Sequence, residues 1–236
     1  MGRQWMHAKR EVNAAKRAKV VTKLVREITI SAKVGTPDPA MNPRLGLAVE
    51  AARKFSVSND TIQRAIKKGS GAGGDGAELD SITFEGMGPH NVAVIVEAMT
   101  DNRNRTVPEI RNLFTEYGQF GSKVMFLFDH VGIIDASHEG EGYDAESAAI
   151  EAGAQDLEVV PAGDEKTGAR FFTNREDLYT VSKALQAAGW EVTQAELGYR
   201  AKDKVQLSPE QRAEVEEFLS ALDDHDDVQR FFSAID

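Results

Sequence analysis

Through the first third of the chain, apolar side chains return every third or fourth residue. Beyond about residue 80 they switch to short alternating or continuous runs. The first pattern is that of helices burying one face, the second that of strands. From Lys9 to Lys33, the residues Ala14, Ala18, Val21, Val25, Ile28 and Ala32 fall within an arc of about 80° at 100° per residue. Lys9, Lys16, Lys19, Lys23, Arg26 and Lys33 take the opposite arc, roughly 120° wide, with only Glu11 and Glu27 in the span. A merely solvated face usually interleaves acids at i,i+4 for mutual support, so this arc reads as a rail for a polyanion. Gly35-Thr36-Pro37-Asp38-Pro39 ends the helix, and Asn42-Pro43 predicts an N-cap with proline at the first helical position. A second helix runs to about Phe55. Ser58 or Asn59 caps a third, with Ile62 and Ile66 inward and Lys67 and Lys68 beside its C-terminal dipole. Three helices make a small bundle.

Five of the eight residues Gly69 to Gly76 are glycine. Lys67 and Lys68 precede these glycines, the reverse of a phosphate-cradling loop, so the stretch reads as a flexible hinge. Beyond it, Ser81 to Glu85, Val92 to Met99, Val124 to Phe128 and Val131 to Ala136 are predicted strands. Thr106-Val107-Pro108-Glu109 reads as a capping box that starts a helix between the second and third of these, giving a β-α-β unit. Gly140-Glu141-Gly142 marks a further break. It is followed by a helix from about Tyr143 to Ala152, strands at Leu157 to Val160 and Ala169 to Thr173, a helix from Arg175 to Ala188, and a strand from Trp190 to Leu197. This stretch reads as an inserted α+β subdomain. Ser208-Pro209-Glu210 starts a helix through Leu222, and Val228 to Ile235 is a closing strand expected to return to the first sheet.

Composition narrows the function classes. The chain has 236 residues, 41% of them hydrophobic and 28% charged, which suits globular cores rather than a disordered or fibrous chain. It has no cysteine, so disulfides, thiolate metal sites and cysteine nucleophiles are excluded. Apolar runs are of strand length, shorter than the roughly 20 residues of a membrane helix, so no membrane association and a cytoplasmic location are expected. The net charge of −10 conceals an asymmetry. Residues 1–70 hold 15 Lys and Arg against 5 Asp and Glu, and the remaining 166 hold 13 against 33. A basic module is fused to an acidic body. Two readings stand: the module meets nucleic acid, or it docks on its own acidic body.

Candidate catalytic chemistry is sparse. The five histidines, His7, His90, His130, His138 and His225, show no metal-ligand spacing, and no nucleophile elbow or dinucleotide fingerprint is present. No catalytic residue, metal or cofactor is therefore predicted. Asp223-Asp224-His225-Asp226-Asp227 reads as a solvated turn after a helix. Asp101-Asn102-Arg103-Asn104-Arg105-Thr106 lies where an apolar strand ends and a helix begins. There Arg103 and Arg105 either clamp phosphate or fix the corner by pairing with a carboxylate of the acidic body. Trp5 and Phe55 are the only aromatics of the first 70 residues, so recognition of phosphate and shape should dominate over stacking. Trp5 either stacks on a base or packs as a lid on the bundle.

Gly2-Arg3-Gln4-Trp5, Lys16-Arg17-Ala18-Lys19, Asn42-Pro43-Arg44-Leu45, Asp60 to Ile66, Phe84-Glu85-Gly86-Met87-Gly88-Pro89, Asp101 to Thr106 and Asp226-Asp227-Val228-Gln229 occur in the order seen in the YebC/PmpR family. The chain resembles that family over almost its whole length. The resemblance implies an α+β fold with a basic N-terminal three-helix bundle, residues 1–76 with the hinge. A central sandwich-like domain (77–136) is completed by the C-terminus (205–236), and a ferredoxin-like α+β domain (137–204) is inserted. It also implies a non-enzymatic regulator of gene expression, described for the family as a DNA-binding transcriptional regulator, with ribosome-associated translational activation as the alternative. The partner is then duplex DNA or ribosomal RNA, met by a monomer without cofactor. The carried-over contact residues are Lys9, Arg10, Lys16, Arg17, Lys19, Lys23 and Arg26, with Arg103 and Arg105.

Overall fold

The computed structural model describes residues 4–72, 79–139, 143–161 and 166–235, and for residues 4–16 the backbone alone. The expected hinge from Gly73 onward and the break at Gly140-Glu141-Gly142 lie outside the described residues, as do the side chains of Trp5, Lys9, Arg10 and Lys16. The chain gathers into two compact units. The first holds Met1–Thr83, Glu97–Ile110 and Ala221–Arg230, the second Phe84–Val96, Arg111–Ser220 and Phe231–Asp236.

In the first unit three helices open the chain: α1 (Gln4–Val34), α2 (Pro43–Lys54) and α3 (Asn59–Gly69). Their shared core is Ile28 and Ala32 from α1, Leu45, Val49 and Ala52 from α2, and Ile62 and Ile66 from α3, with Leu24, Val25 and Val57 packed against it. Each fully buried Ile or Leu contributes roughly 1.5–3 kcal/mol, so the C-terminal part of the stripe read from α1, Val25, Ile28 and Ala32, holds the bundle together, whereas Ala18 is exposed. From Ile28 to Ala32, however, every side chain is buried, including Ile30 on the basic arc. The stretch 28–32 of α1 is therefore core on all sides.

Two corners fix the bundle. The buried Asn42 accepts the Leu45 N–H through Oδ1 at 3.2 Å, and its Nδ2 donates to the Ser31 and Thr36 carbonyls at 2.9 Å. One side chain thus caps the start of α2 and the end of α1 together. At the end of α2 the Val57 N–H donates to Ala52 O at 3.0 Å and the Ser56 N–H to Arg53 O at 2.9 Å. This is a Schellman closure with serine at the left-handed position, φ 59°, where glycine is usual. Ser58 then caps α3, accepting the Thr61 N–H at 3.3 Å.

After the bundle come β1 (Asp80–Met87), β2 (Ala93–Thr100), α4 (Arg103–Tyr117) and β3 (Gln119–Phe120). With β8 (Val228–Ser233) these strands form a sheet in the order β3-β1-β2-β8, so the closing strand does return to the first sheet. Two expectations are corrected. The stretch Val124 to Phe128 is not a strand: Met125–Leu127 is a 3-10 turn, and the Val124 and Met125 N–H groups both donate to the Glu85 carboxylate at 2.8 Å. The strand after α4 is instead the two-residue β3, antiparallel to β1. Nor is Thr106 a cap, because α4 begins three residues earlier, with Asn102 Oδ1 accepting the Arg105 N–H at 3.2 Å. Pro108 then lies inside the helix, where its missing N–H leaves one carbonyl of the first turn without its helical partner.

In the second unit β4 (Phe128–Glu139), α5 (Ala145–Ala152), β5 (Asp156–Val160), β6 (Lys166–Thr173), α6 (Leu178–Ala187) and β7 (Glu191–Ala201) form a sheet in the order β5-β6-β4-β7. Each neighbouring pair is antiparallel, and the β-α-β-β-α-β succession is the ferredoxin-like arrangement. The strand β4 runs unbroken through residues 136 and 137, pairing with β7 from Phe128 to Ser137 and with β6 from Gly132 to Glu139. α7 (Pro209–Asp224) precedes β8. Phe114 packs edge-on to Phe120 and Phe218, with centroids at 5.8 and 5.1 Å. Gly118, just past α4, lies so close to the end of β1 that a Cβ would sit 2.1 Å from Met87 O. Any larger residue must displace backbone there.

Candidate nucleic-acid interface

The basic arc of α1 splits into two parts. Lys19, Lys23 and Arg26, spaced four and three residues apart, lie one above the other on the helix, and all three meet the acidic segment at the end of α7. Lys19 Nζ pairs with Asp224 Oδ1 at 2.8 Å and Lys23 Nζ with Asp223 Oδ1 at 2.7 Å. Arg26 donates to the Asp226 carbonyl and lies 3.6 Å from Asp227 Oδ1. The side chain of Lys19 is 45% exposed and that of Lys23 only 18%. The hydrogen bond to Asp224 holds the Lys19 ammonium above its ordinary pKa. Gln229 Nε2 donates to the Lys23 carbonyl at 2.6 Å, tying the start of β8 to the same helix. Glu27, the acid that interrupts the arc, serves the bundle: its Oε1 accepts Arg44 Nε at 2.7 Å. Burial would push the Glu27 carboxyl up, but the charge and hydrogen bond of Arg44 outweigh it and hold it down.

Asp227 is the node of this arrangement. Its side chain is 3% exposed, and Oδ2 accepts Arg105 Nη2 at 2.8 Å and the Thr106 hydroxyl at 2.7 Å. Thr106 Oγ1 also lies 2.8 Å from Thr100 Oγ1 at the end of β2. The Asp227 carbonyl accepts the Met99 N–H at 2.8 Å. Burial would raise the carboxyl pKa, yet the hydrogen bonds of Arg105 and Thr106 and the charges of Arg105 and Arg26 hold it below the usual carboxylate range. The Asp227 N–H donates to His225 Nδ1 at 3.1 Å, so the neutral ring carries its proton on Nε2 and gives it to Glu109 Oε2, also at 3.1 Å.

The other cations behave differently. Arg103 is exposed at the first residue of α4, without a carboxylate partner among the described residues. Arg17 is exposed and donates from Nη2 to the Phe55 carbonyl at 3.3 Å. Lys9, Arg10 and Lys16 lie along the first half of α1, their side chains outside the described residues. Among the described residues no cluster of three or more His, Asp or Glu is placed to hold a metal ion, and no helix is long and apolar enough to cross a membrane.

Residues 2–72 match the family model described as the TACO1/YebC protein N-terminal domain, and residues 79–235 the one described as TACO1/YebC second and third domain. The chain belongs to the TACO1/YebC family. A relative from Bdellovibrio bacteriovorus, called probable transcriptional regulatory protein Bd1964, is 46% identical over 239 residues, with 100% of both chains covered. One from Pseudomonas fluorescens, called probable transcriptional regulatory protein, is 48% identical over 98% of each chain. The crystal structure of a conserved hypothetical protein, Aq1575 from Aquifex aeolicus, matches with TM-score 0.84 at 36% identity, over 94% of this chain and 91% of that one.

In this member of the TACO1/YebC family the structure thus brings Lys19, Lys23, Arg26 and Arg105 together on Asp223, Asp224 and Asp227, and leaves Arg17 and Arg103 apart from them. The expectation of a solvated turn at residues 223–227 is corrected at Asp227, which is buried, while Asp223 and Asp224 stay exposed and receive Lys23 and Lys19. A run of four acids signals charge but not its recipient. Thr100, Thr106 and His225 carry no such signal, since a hydroxyl or imidazole becomes structural only through the partner the fold delivers.

Proposed function

We propose that this chain is a non-enzymatic, nucleic-acid-binding regulator of gene expression, acting in the cytoplasm as a DNA-binding transcriptional regulator. It acts as a monomer without cofactor, through three domains: the basic bundle 1–76, a central domain of 77–136 with 205–236, and an inserted domain of 137–204. The observation that carries this reading is the division of charge. The first 70 residues hold 15 Lys and Arg against 5 Asp and Glu. Arg17, Arg53, Lys54, Arg64, Lys67, Lys68 and Arg103 are exposed and unpaired with any carboxylate among the described residues. Such cations bind phosphates by counterion release rather than by reading bases. The names of the relatives point the same way.

The test is binding of the full chain to labelled duplex DNA over a salt series. Replacing Lys9, Arg10, Lys16 and Arg17 by Ala should weaken binding and flatten its salt dependence by about 0.9 in the log–log slope per lost contact on B-DNA. Unchanged slope and affinity would exclude the first half of α1 as a contact surface. Crosslinking in cells followed by sequencing of DNA and RNA should enrich promoter DNA. Enrichment of ribosomal RNA without promoter DNA would replace this reading with that of a ribosome-associated translational activator.

A further inference from the structure

The corner between α2 and α3 presents an aromatic ring among cations. The Schellman closure of α2 turns Val57 inward onto the bundle core, which also holds Ala52, and leaves the Phe55 side outward, 42% exposed. The large apolar side chains exposed in the first unit, among the described residues, are Val34, Met41 and Phe55. Of these only Phe55 is a ring. Arg53 and Lys54 precede it, exposed and without carboxylate partners among the described residues. Arg17, reaching over from α1, spends one of its five donors on the Phe55 carbonyl and keeps the others for a ligand. The backbone beneath is held in an uncommon state, with Ser56 at φ 59°, a strain of the kind stored at binding sites.

Resting on the reading of the bundle as a polyanion binder, the geometry points to this corner as a site for single-stranded nucleic acid, in which Phe55 stacks on one unpaired base and Arg17, Arg53 and Lys54 hold the flanking phosphates. A paired base shows its face only at a duplex end, whereas an unpaired one offers it anywhere along the strand. The alternative, α3 reading a duplex groove, is less favoured by the same surface. Asp60 stands in the first turn of α3, where a groove helix contacts bases, and the Arg64 guanidinium is turned back onto the Asp60 carbonyl and the Thr61 hydroxyl at 3.3 and 3.4 Å.

The experiment measures fluorescence anisotropy of the full chain with a labelled single-stranded oligonucleotide, in DNA and RNA versions, and with the matching duplex. Phe55→Ala should weaken single-strand binding about 5- to 150-fold, the value of one base–aromatic stack, and leave duplex binding unchanged. Phe55→Leu keeps an apolar side chain without a π face and should lose as much, while Phe55→Trp should retain binding. Arg53→Ala and Lys54→Ala should each lower the single-strand salt slope by about 0.7. Comparison of the DNA and RNA arms shows which strand carries the preferred base. Wild-type protein that binds nucleic acid, with Phe55→Ala and Phe55→Leu unaltered or weakened on duplex and single strand alike, overturns the corner alone. Wild-type protein that binds neither form overturns the polyanion reading as well.

Discussion

Lys19, Lys23 and Arg26 of α1 and Arg53, Lys54, Lys67 and Lys68 on the α2–α3 side belong to the same basic module, yet they meet opposite fates. Lys19, Lys23 and Arg26 end on carboxylates and a carbonyl of the acidic segment, with Lys23 buried to 18% exposure. Arg53, Lys54, Lys67 and Lys68 stand in solvent. A count of charges therefore overstates what one face can offer a phosphate backbone and understates what another can. Position on a helical wheel defines the face a side chain occupies, but the fold decides whether that face is already answered.

The largest way to break this contrast is to remove its node. Asp227→Ala leaves Arg105 and Thr106 without their shared acceptor and Arg26 without its neighbouring carboxylate. Because both arginines retain access to water, the expected cost is at the low end for a broken buried pair, about 3 kcal/mol, measured as a shift in urea unfolding. Acid should act on the same node. The folded-state carboxyls of Asp227 and Glu27 lie below their ordinary values. Their contribution is complete above the unfolded pKa values near 4 and is lost as pH falls through the folded ones. Unfolding followed from pH 7 downward should show stability falling below about pH 4, with a shallower fall in Asp227→Asn.

A gentler change sharpens the contrast rather than breaking it. Asp223→Asn with Asp224→Asn should free Lys19 and Lys23 while leaving the fold intact, since these pairs are partly exposed. Duplex affinity should rise, with the salt slope steeper by about 0.9 for each lysine that then reaches a phosphate. An unchanged slope would mean that the paired half of α1 faces away from the ligand. The smallest effect concerns the other side of the bundle. Ser56→Gly relieves a left-handed serine and should stabilise by about 0.5–1 kcal/mol in thermal unfolding.

Much of the architecture was legible. The three helices, the cap at Asn42, the return of the last strand to the first sheet and the helix-strand-strand-helix-strand run after residue 143 all follow from periodicity and turn residues. What escaped was set by tertiary delivery. Thr106 looked like a cap because its local pattern matches one, but Asn102 took that role and freed the hydroxyl for Asp227. Val124 to Phe128 is as apolar as a strand, yet the Glu85 carboxylate draws its N–H groups into a turn. Of the candidate contacts, the positions on α1 were readable and their acidic partners were not, because nothing local distinguishes a solvated aspartate from one awaiting a lysine.

Lys19 and Asp224 are 205 residues apart, and this separation has a consequence in time. At roughly 5–20 residues per second of synthesis, on the order of ten to forty seconds pass between the appearance of the helix and that of the segment that covers it. For that interval Lys19, Lys23 and Arg26 lack the acidic segment that answers them. The ladder of ion pairs is thus a late event in the life of each molecule, and a chain cut short before α7 ends would keep α1 permanently in its early, fully cationic state.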